Sequence, residues 1–375
     1  MKFKIQTEVL KKWLDIVNHA TASITTTPIL ENILLKVNFN NIVLTSNNLE
    51  MAIEYMISDN IHIDTEWSFC VPSKLFTSYI SLVQDDEITV ELLSDDSIKV
   101  STWSWKLKIK WIEASEFPLI PNIREEISLN LSWKIIKNSI DKTLFSSAEW
   151  NIRPTLAGLY VNIKWNEVIF ASTDSFRLSE YKTILNEPVP INFSQIIPSK
   201  TASQIKSILN DNDEVKIVSW DNQIAFLSGN IKIYSRLLNG KFPDYSTFFP
   251  TTFSTKAEVN RIDLMWALKK INLVSRENNY SIKMSLSSSR WIELETSETQ
   301  IWEWDVTLVW AVEWEDNVVW INSTYFLEVL WVIGTSHINI SFESPLSPIL
   351  IAPTPDPEKE DKAHSFKHII MPLKI

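Results

Sequence analysis

Few residues of this 375-residue chain have the types and spacings that do covalent chemistry. Asp174 and Arg177, three apart in TDSFR, would make an acid–base couple, but an ion pair or cap at a strand end is the simpler use of them. Asp85 and Asp86 could face a cation, yet they stand in a helix–strand turn with no third ligand in view. His364 and His368 are four apart, a ligand spacing on helices. Proline-rich sequence precedes them and the strand-like IIMPLKI follows, so no metal site is expected there. The one cysteine, Cys70, excludes an internal disulfide. Its strand context reads as a buried small hydrophobe in a reducing compartment. No G-x-x-x-x-G-K-[ST] phosphate loop, no G-x-S-x-G elbow and no Cys/His ligand set occurs. The expectation is a non-catalytic protein with no cofactor and no metal.

The elements that would position any site are written three times. CVPSKLFTSYISLVQDDEITVEL from Cys70 returns as IIPSKTASQIKSILNDNDEVKIV from Ile196 and, more loosely, as WINSTYFLEVLWVIGTSHINISF from Trp320. The equivalent residues Pro72, Pro198 and Asn322 are 126 and then 124 residues apart. Each copy reads as a strand end, a polar cap, a helix of about three turns, a polar turn and an alternating strand. The segments upstream repeat as well. MKFKIQTEVLKKWLDIVNHA, ISLNLSWKIIKNSIDKTLFSS and AEVNRIDLMWALKKINLVSRENN each predict a short strand and an amphipathic helix; Ile135, Ile136, Ile140 and Leu144 form one stripe. Alternating strands follow. A period this long is a domain rather than a solenoid unit. The expected class is α+β: three repeated domains over residues 1–123, 124–252 and 253–375, each with two helices packed on antiparallel sheets.

Composition is that of a globular chain, with 45% hydrophobic and 22% charged residues. No apolar run is long enough to span a membrane, and MKFKIQTEVL has no secretory h-region. The net charge is −11, but its distribution is uneven. Cations collect on the repeat helices: Lys11, Lys12, Lys74, Lys134, Lys137, Lys142, Lys200, Lys206, Arg261, Lys269, Lys270 and Arg276. Acids collect in turns and tails, at 85–87, 95–96, 211–214 and 356–361. Basic helices on an acidic body can face a polyanion on one side.

Seventeen Trp against four Gly inverts normal usage. Trp103, Trp105, Trp165, Trp220 and Trp291 stand where hairpin turns need φ > 0 and hence glycine. Trp302, Trp304, Trp314 and Trp320 likewise punctuate strands. The pattern is that of UGA codons read as glycine in the organism, so these residues are treated as turn signals and given no binding role.

The repeats, together with TPILENILLKV from Thr27, RPTLAGLYV from Arg153, ASTDSFRLSEY from Ala171, NGKFPDY from Asn239 and the ending HIIMPLKI, resemble the bacterial DNA polymerase III β sliding clamps over the whole chain. The resemblance implies a homodimer closed head-to-tail into a six-domain ring around double-stranded DNA, without sequence specificity. It implies a tether for the replicative polymerase catalytic subunit, a clamp loader and other proteins with clamp-binding linear motifs. The implied location is the cytoplasm, at the nucleoid. The helices would line the hole, with Lys11, Lys12, Lys74, Lys134, Lys137, Arg153, Lys200, Lys206 and Lys269 facing DNA. A hydrophobic peptide groove between the second and third domains would use Leu156, Thr173, Ser175, Arg177, Leu178, Pro243, Phe248, Leu346, Pro348, Ile369, Met371, Pro372 and Leu373. The ring interface would set Leu107 and Ile109 against Leu273 and Val274, and Lys74 against Glu303 or Asp305. The chain departs from the family in carrying Ser175-Phe176 where Gly-His is common, in lacking a basic residue in ASITT, and in Thr247 where some members have Arg. Two other classes fit parts of the pattern: a repeat enzyme acting on nucleic acid between domains, and a peptide scaffold that never meets DNA.

Overall fold

The computed structural model describes residues 2–22, 25–93, 97–120, 122–149, 153–209, 214–287, 291–296, 305–309, 311–314, 316–355 and 364–374, with the side chains of 305–314 excepted. The chain divides into two compact units, one of Met1–Lys134 with Gln204–Leu237 and one of Ile135–Ser203 with Leu238–Ile375.

The repeated phrases fold as their periodicity dictates. Six α-helices occur among the described residues: α1 (Thr7–Asn18), α2 (Ser73–Ser81), α3 (Trp133–Thr143), α4 (Ser199–Ile208), α5 (Arg261–Val274) and α6 (Ser323–Val332). Each follows directly on a strand that ends at Gln6, Pro72, Ser132, Pro198, Asn260 or Asn322. The last two residues are working N-caps. The Asn260 side chain accepts from the backbone N–H groups of Ile262 and Asp263, and Asn322 accepts from those of Thr324 and Tyr325. Both satisfy donors that the first helical turn leaves open. The helices bury one stripe each: Leu10, Leu14 and Val17 on α1, Phe76 and Ile80 on α2, Leu264, Leu268 and Ile271 on α5, Phe326, Val329 and Leu330 on α6. In the first unit α1 packs on α2; in the second, α5 packs on α6.

The first unit holds a five-stranded antiparallel sheet, ordered Ile61–Ile63, Lys2–Gln6, Glu87–Leu92, Ser97–Ser101, Lys106–Lys110. It also holds a nine-stranded sheet, in which Met51–Ile57 pairs with Ile231–Arg236 to join strands from the first and second thirds of the chain. The second unit holds a seven-stranded sheet, ordered Gly158–Thr173, Arg177–Pro198, His364–Ile370, Ile349–Pro353, His337–Phe342, Thr255–Asn260, Ala311–Trp314. A four-stranded sheet there runs Asp305–Val309, Trp291–Thr296, Ser281–Ser287, Asn317–Asn322. The strand near the C-terminus therefore lies inside a sheet rather than at its rim, which accounts for an apolar HIIMPLKI.

The tryptophans only partly behave as turn signals. Trp165 has φ +61, but it sits at a register shift between two long paired strands rather than in a hairpin turn. The turn of that ribbon falls at Asp174–Phe176 instead. Trp220 ends a strand and is buried with Ala52, Val218, Ala225 and Tyr234, while the positive φ beside it belongs to Asp221. Trp291 opens a strand, and Trp314 and Trp320 lie within strands. Trp302 and Trp304 lie outside the described residues.

Candidate peptide-docking site

The second unit gathers most of the expected groove residues around one apolar cluster. Leu156, Leu178 and Ile369 are buried with Ala171, Ile196, Leu238, Phe242 and Tyr245. Register explains the meeting: Leu178 pairs with Ile369, which pairs with Leu350 on the other side. Leu156 enters from a short 3-10 turn, Pro154–Leu156. The loop from Asn239 closes onto that turn at Gly240, whose φ is +125 and where a Cβ would come within 2.6 Å of Thr155 Cγ2. Only glycine permits that approach. Phe242 then stacks on Tyr160 at 4.5 Å and 6°. Tyr245 packs edge-on beside it and donates its hydroxyl to Glu180 at 2.8 Å.

Around this floor, large apolar side chains stand in the open. Phe176, Phe248, Leu346 and Met371 are 59, 50, 67 and 37% exposed. Pro243 is exposed; Pro348, Pro372 and Leu373 are half-buried. The segment after the inner strand is pinned by two backbone bonds, Met371 N–H to Phe176 O and Leu373 N–H to Trp320 O, both 2.8 Å. Strand register places Phe176, Met371 and Pro348 at one end of three adjacent strands.

The polar members do not point at a ligand. Thr173 donates its hydroxyl to Arg177 O at 2.6 Å and accepts from Ser175 N–H at 3.1 Å. Ser175 itself has φ +82 and accepts a bond from the Arg153 guanidinium. Arg177, also expected in the groove, is 9% exposed and spends its donors within its own chain. Its Nε bonds Asp174 at 3.0 Å, Nη2 bonds Phe145 O at 2.7 Å, and Nη1 pairs with Glu328. The ring of Tyr325 covers it at 4.3 Å. Asp174 also accepts from the N–H groups of Phe176 and Arg177. Asp174 and Arg177 thus form the turn-capping ion pair. Beside them, burial and then the Arg177 charge hold His368 neutral, down to about 3. Its Nδ1 shares a hydrogen bond of 2.7 Å with the Ser179 hydroxyl, as His364 Nδ1 does with Thr183.

Sequence reasoning missed Phe242, Tyr245, Glu328 and Tyr325. The aromatic spacing in KFPDY was the available signal for the first two; nothing local marks Glu328.

The expected DNA-facing cations lie on α1 to α5, except Arg153, which precedes the 3-10 turn Pro154–Leu156. Lys12, Lys74, Lys134, Lys200 and Lys206 are exposed, as is Arg153. Lys137 is half-buried. Lys11 pairs with Glu8 at 2.8 Å, and Lys269 lies between Trp266 and Trp331 at 4.6 and 4.3 Å. Arg261 bonds the carbonyls of Leu330 and Thr335, closing the end of α6 rather than facing solvent. Of the expected interface residues, Leu273 is 80% exposed, whereas Leu107 and Val274 are half-buried. Ile109 is 4% exposed, covered by its own unit, so it presents no surface for a partner. Glu303 lies outside the described residues. Each of the four sheets ends in strands paired on one side only among the described residues, Lys106–Lys110 and Asp305–Val309 among them.

The remaining candidates for chemistry are structural. Cys70 is fully buried against Ile29, Leu30, Leu34 and Phe117, and burial, then Glu116, pushes its thiol up to about 12. Asp85 accepts from Ser104 at 2.7 Å and from Thr102, which lowers its pKa and ties down its loop. Among the described residues, no helix is long and apolar enough to cross a membrane.

Comparison with known proteins matches this architecture along its whole length. Family models for the DNA polymerase III beta subunit match in order: the N-terminal domain over 1–121, the central domain over 130–244 and the C-terminal domain over 246–374. The Beta sliding clamp of Bacillus subtilis is 27% identical, with all of both chains covered, and that of Staphylococcus aureus is also 27% identical, covering 100% of this chain and 99% of that one. The crystal structure of the Bacillus subtilis DNA polymerase sliding clamp superposes with a TM-score of 0.93 at 25% identity over 100% of this chain and 99% of that one. The beta subunit from DNA polymerase of Streptococcus pyogenes gives 0.94 at 24%, with both chains fully covered. Three repeated modules of strand and helix, matched in order by three consecutive domain models, place the chain in the DNA polymerase III beta subunit family, the beta sliding clamps.

Proposed function

We propose that two copies of this chain close into a ring that encircles duplex DNA and tethers the replicative polymerase, without catalysing a reaction. The modules of the ring are residues 1–123, 124–252 and 253–375. The observation that carries the reading is where the positive charge sits. In a chain of net charge −11, exposed lysines stand on α1, α2, α3 and α4 at Lys12, Lys74, Lys134, Lys200 and Lys206. Such cations lower the cost of threading a polyanion and need no fixed phosphate contact, so the ring can slide. Two of the edge strands support closure by their charge. Lys106–Lys110 carries three lysines and Asp305–Val309 begins with an acid, so one copy's edge can extend the other's sheet, as a head-to-tail dimer requires. Leu273 lies open for the same interface.

The apolar surface around Phe176, Leu346 and Met371 is the docking site for short linear motifs of the polymerase catalytic subunit, the clamp loader and other partners. Its floor is buried and its rim includes the thioether of Met371, which suits varied apolar anchors. Loading onto nicked circular DNA, followed by linearisation, tests the ring. Retention on the circle and release from the cut molecule are expected. Equal retention on both would mean adhesion and would overturn enclosure, as would a strictly monomeric mass at micromolar concentration.

A further inference from the structure

We infer that Trp13, Trp111, Trp133 and Trp165 are glycine in the protein as its organism makes it, each through a UGA codon read as glycine. Three kinds of misfit converge on one residue type. Trp165 has φ +61 at the register shift between Lys164 and Glu167, and its indole is 63% exposed. A bulge residue in the left-handed region is the position where a β-carbon is least tolerated and glycine is the usual occupant. The second misfit is polar. Trp133, the first residue of α3, is fully buried, and its indole N–H has no hydrogen-bond partner. The indole N–H groups of Trp13 and Trp111 are buried and unpartnered in the same way. Buried tryptophans ordinarily find an acceptor for that group. The third misfit is steric. The rings of Trp13 and Tyr55 have centroids 3.4 Å apart at 30°. Aromatic pairs settle at roughly 4.5 Å or more, so these rings are forced together.

Only the Trp165 position could be read as a turn from sequence. Trp13 lies inside α1, Trp133 opens a helix and Trp111 lies between two short strands. Glycine is a poor helix former, yet in α1 that penalty is set against an unbonded indole N–H and a crowded ring, two penalties removed together. The composition agrees: four Gly in 375 residues is far below ordinary usage, and 17 Trp is far above it. A single reassigned codon accounts for the deficit, the excess and the misfits at once.

The test is peptide mass spectrometry on the protein purified from its organism, with sequencing of the gene. UGA at the four codons and peptides lighter by the difference between tryptophan and glycine are expected. UGG codons, or peptides carrying tryptophan at these sites, would overturn the inference. A second measurement needs no native source. In the recombinant tryptophan-bearing chain, Trp165→Gly should raise Tm while Trp165→Ala should not, because only glycine relieves the left-handed backbone. A lower Tm in both variants would show that the indole belongs there.

Discussion

The floor and the rim of the apolar surface in the second unit are built from the same residue types, yet they answer to different demands. Leu156, Leu178 and Ile369 are 4, 3 and 2% exposed and are held by strand register and by the loop that Gly240 admits. Phe176, Phe248, Leu346 and Met371 stand open a few residues away. The floor contributes to the stability of the fold; the rim contributes little until something covers it. A list of groove residues conflates the two, because the family resemblance names positions and not the burial each has within its own chain.

Four measurements sharpen that contrast. Ile369→Ala should cost about 3 kcal/mol in chemical denaturation, the usual loss for a buried aliphatic truncation; a loss below about 1 kcal/mol would move Ile369 from floor to rim. Arg177→Ala should cost about 2 kcal/mol, since it strands Asp174 and the Phe145 carbonyl while Glu328 retains solvent; it should weaken peptide binding only through a loosened floor. His368 adds a pH signature. The folded chain keeps this imidazole neutral to about 3, against an ordinary value of 6.5. Below 6.5 the unfolded chain therefore binds the extra proton. Stability is full above that pH and falls as the pH drops toward 3, by at most about 1.4 kcal/mol per unit. Comparing denaturation curves of the parent and His368→Leu across that window should show a shallower slope in the variant. Last, Met371→Ala or Leu346→Ala should change stability by under about 0.5 kcal/mol. Either should still weaken capture of a partner's linear-motif peptide by roughly tenfold, about 1.4 kcal/mol. Unchanged peptide affinity in both would break the distinction.

Much of the fold was legible because helix and strand periods alternate so regularly in the three copies. The helix starts at Ser73, Ser199 and Ser323 follow from the repeated Pro-Ser or Asn-Ser pair. The caps Asn260 and Asn322 act as their chemistry predicts. Pairing partners were less legible. Alternation in LYVNIKWNEVIFAS declares a strand, but not that it continues past Trp165 against one long partner. Which of the expected groove residues would be buried and which open was not legible in the sequence. The pairing of Arg177 with Asp174 was legible from their spacing, but its further partner Glu328 lies 151 residues away on α6 with nothing in the local sequence to announce it. Ile109 alternates like an edge contact but points inward, since a period of two fixes a face without saying which face is covered.

The inner placement of His364–Ile370 carries a consequence for how the chain is made. Ser179 pairs with His368, which is made 189 residues later in a chain of 375. Until that late strand is made, Arg177–Pro198 and Ile349–Pro353 lack the partner between them, and the apolar floor lacks Ile369. A chain stopped before His364 would therefore lack part of the floor on which the proposed docking surface rests.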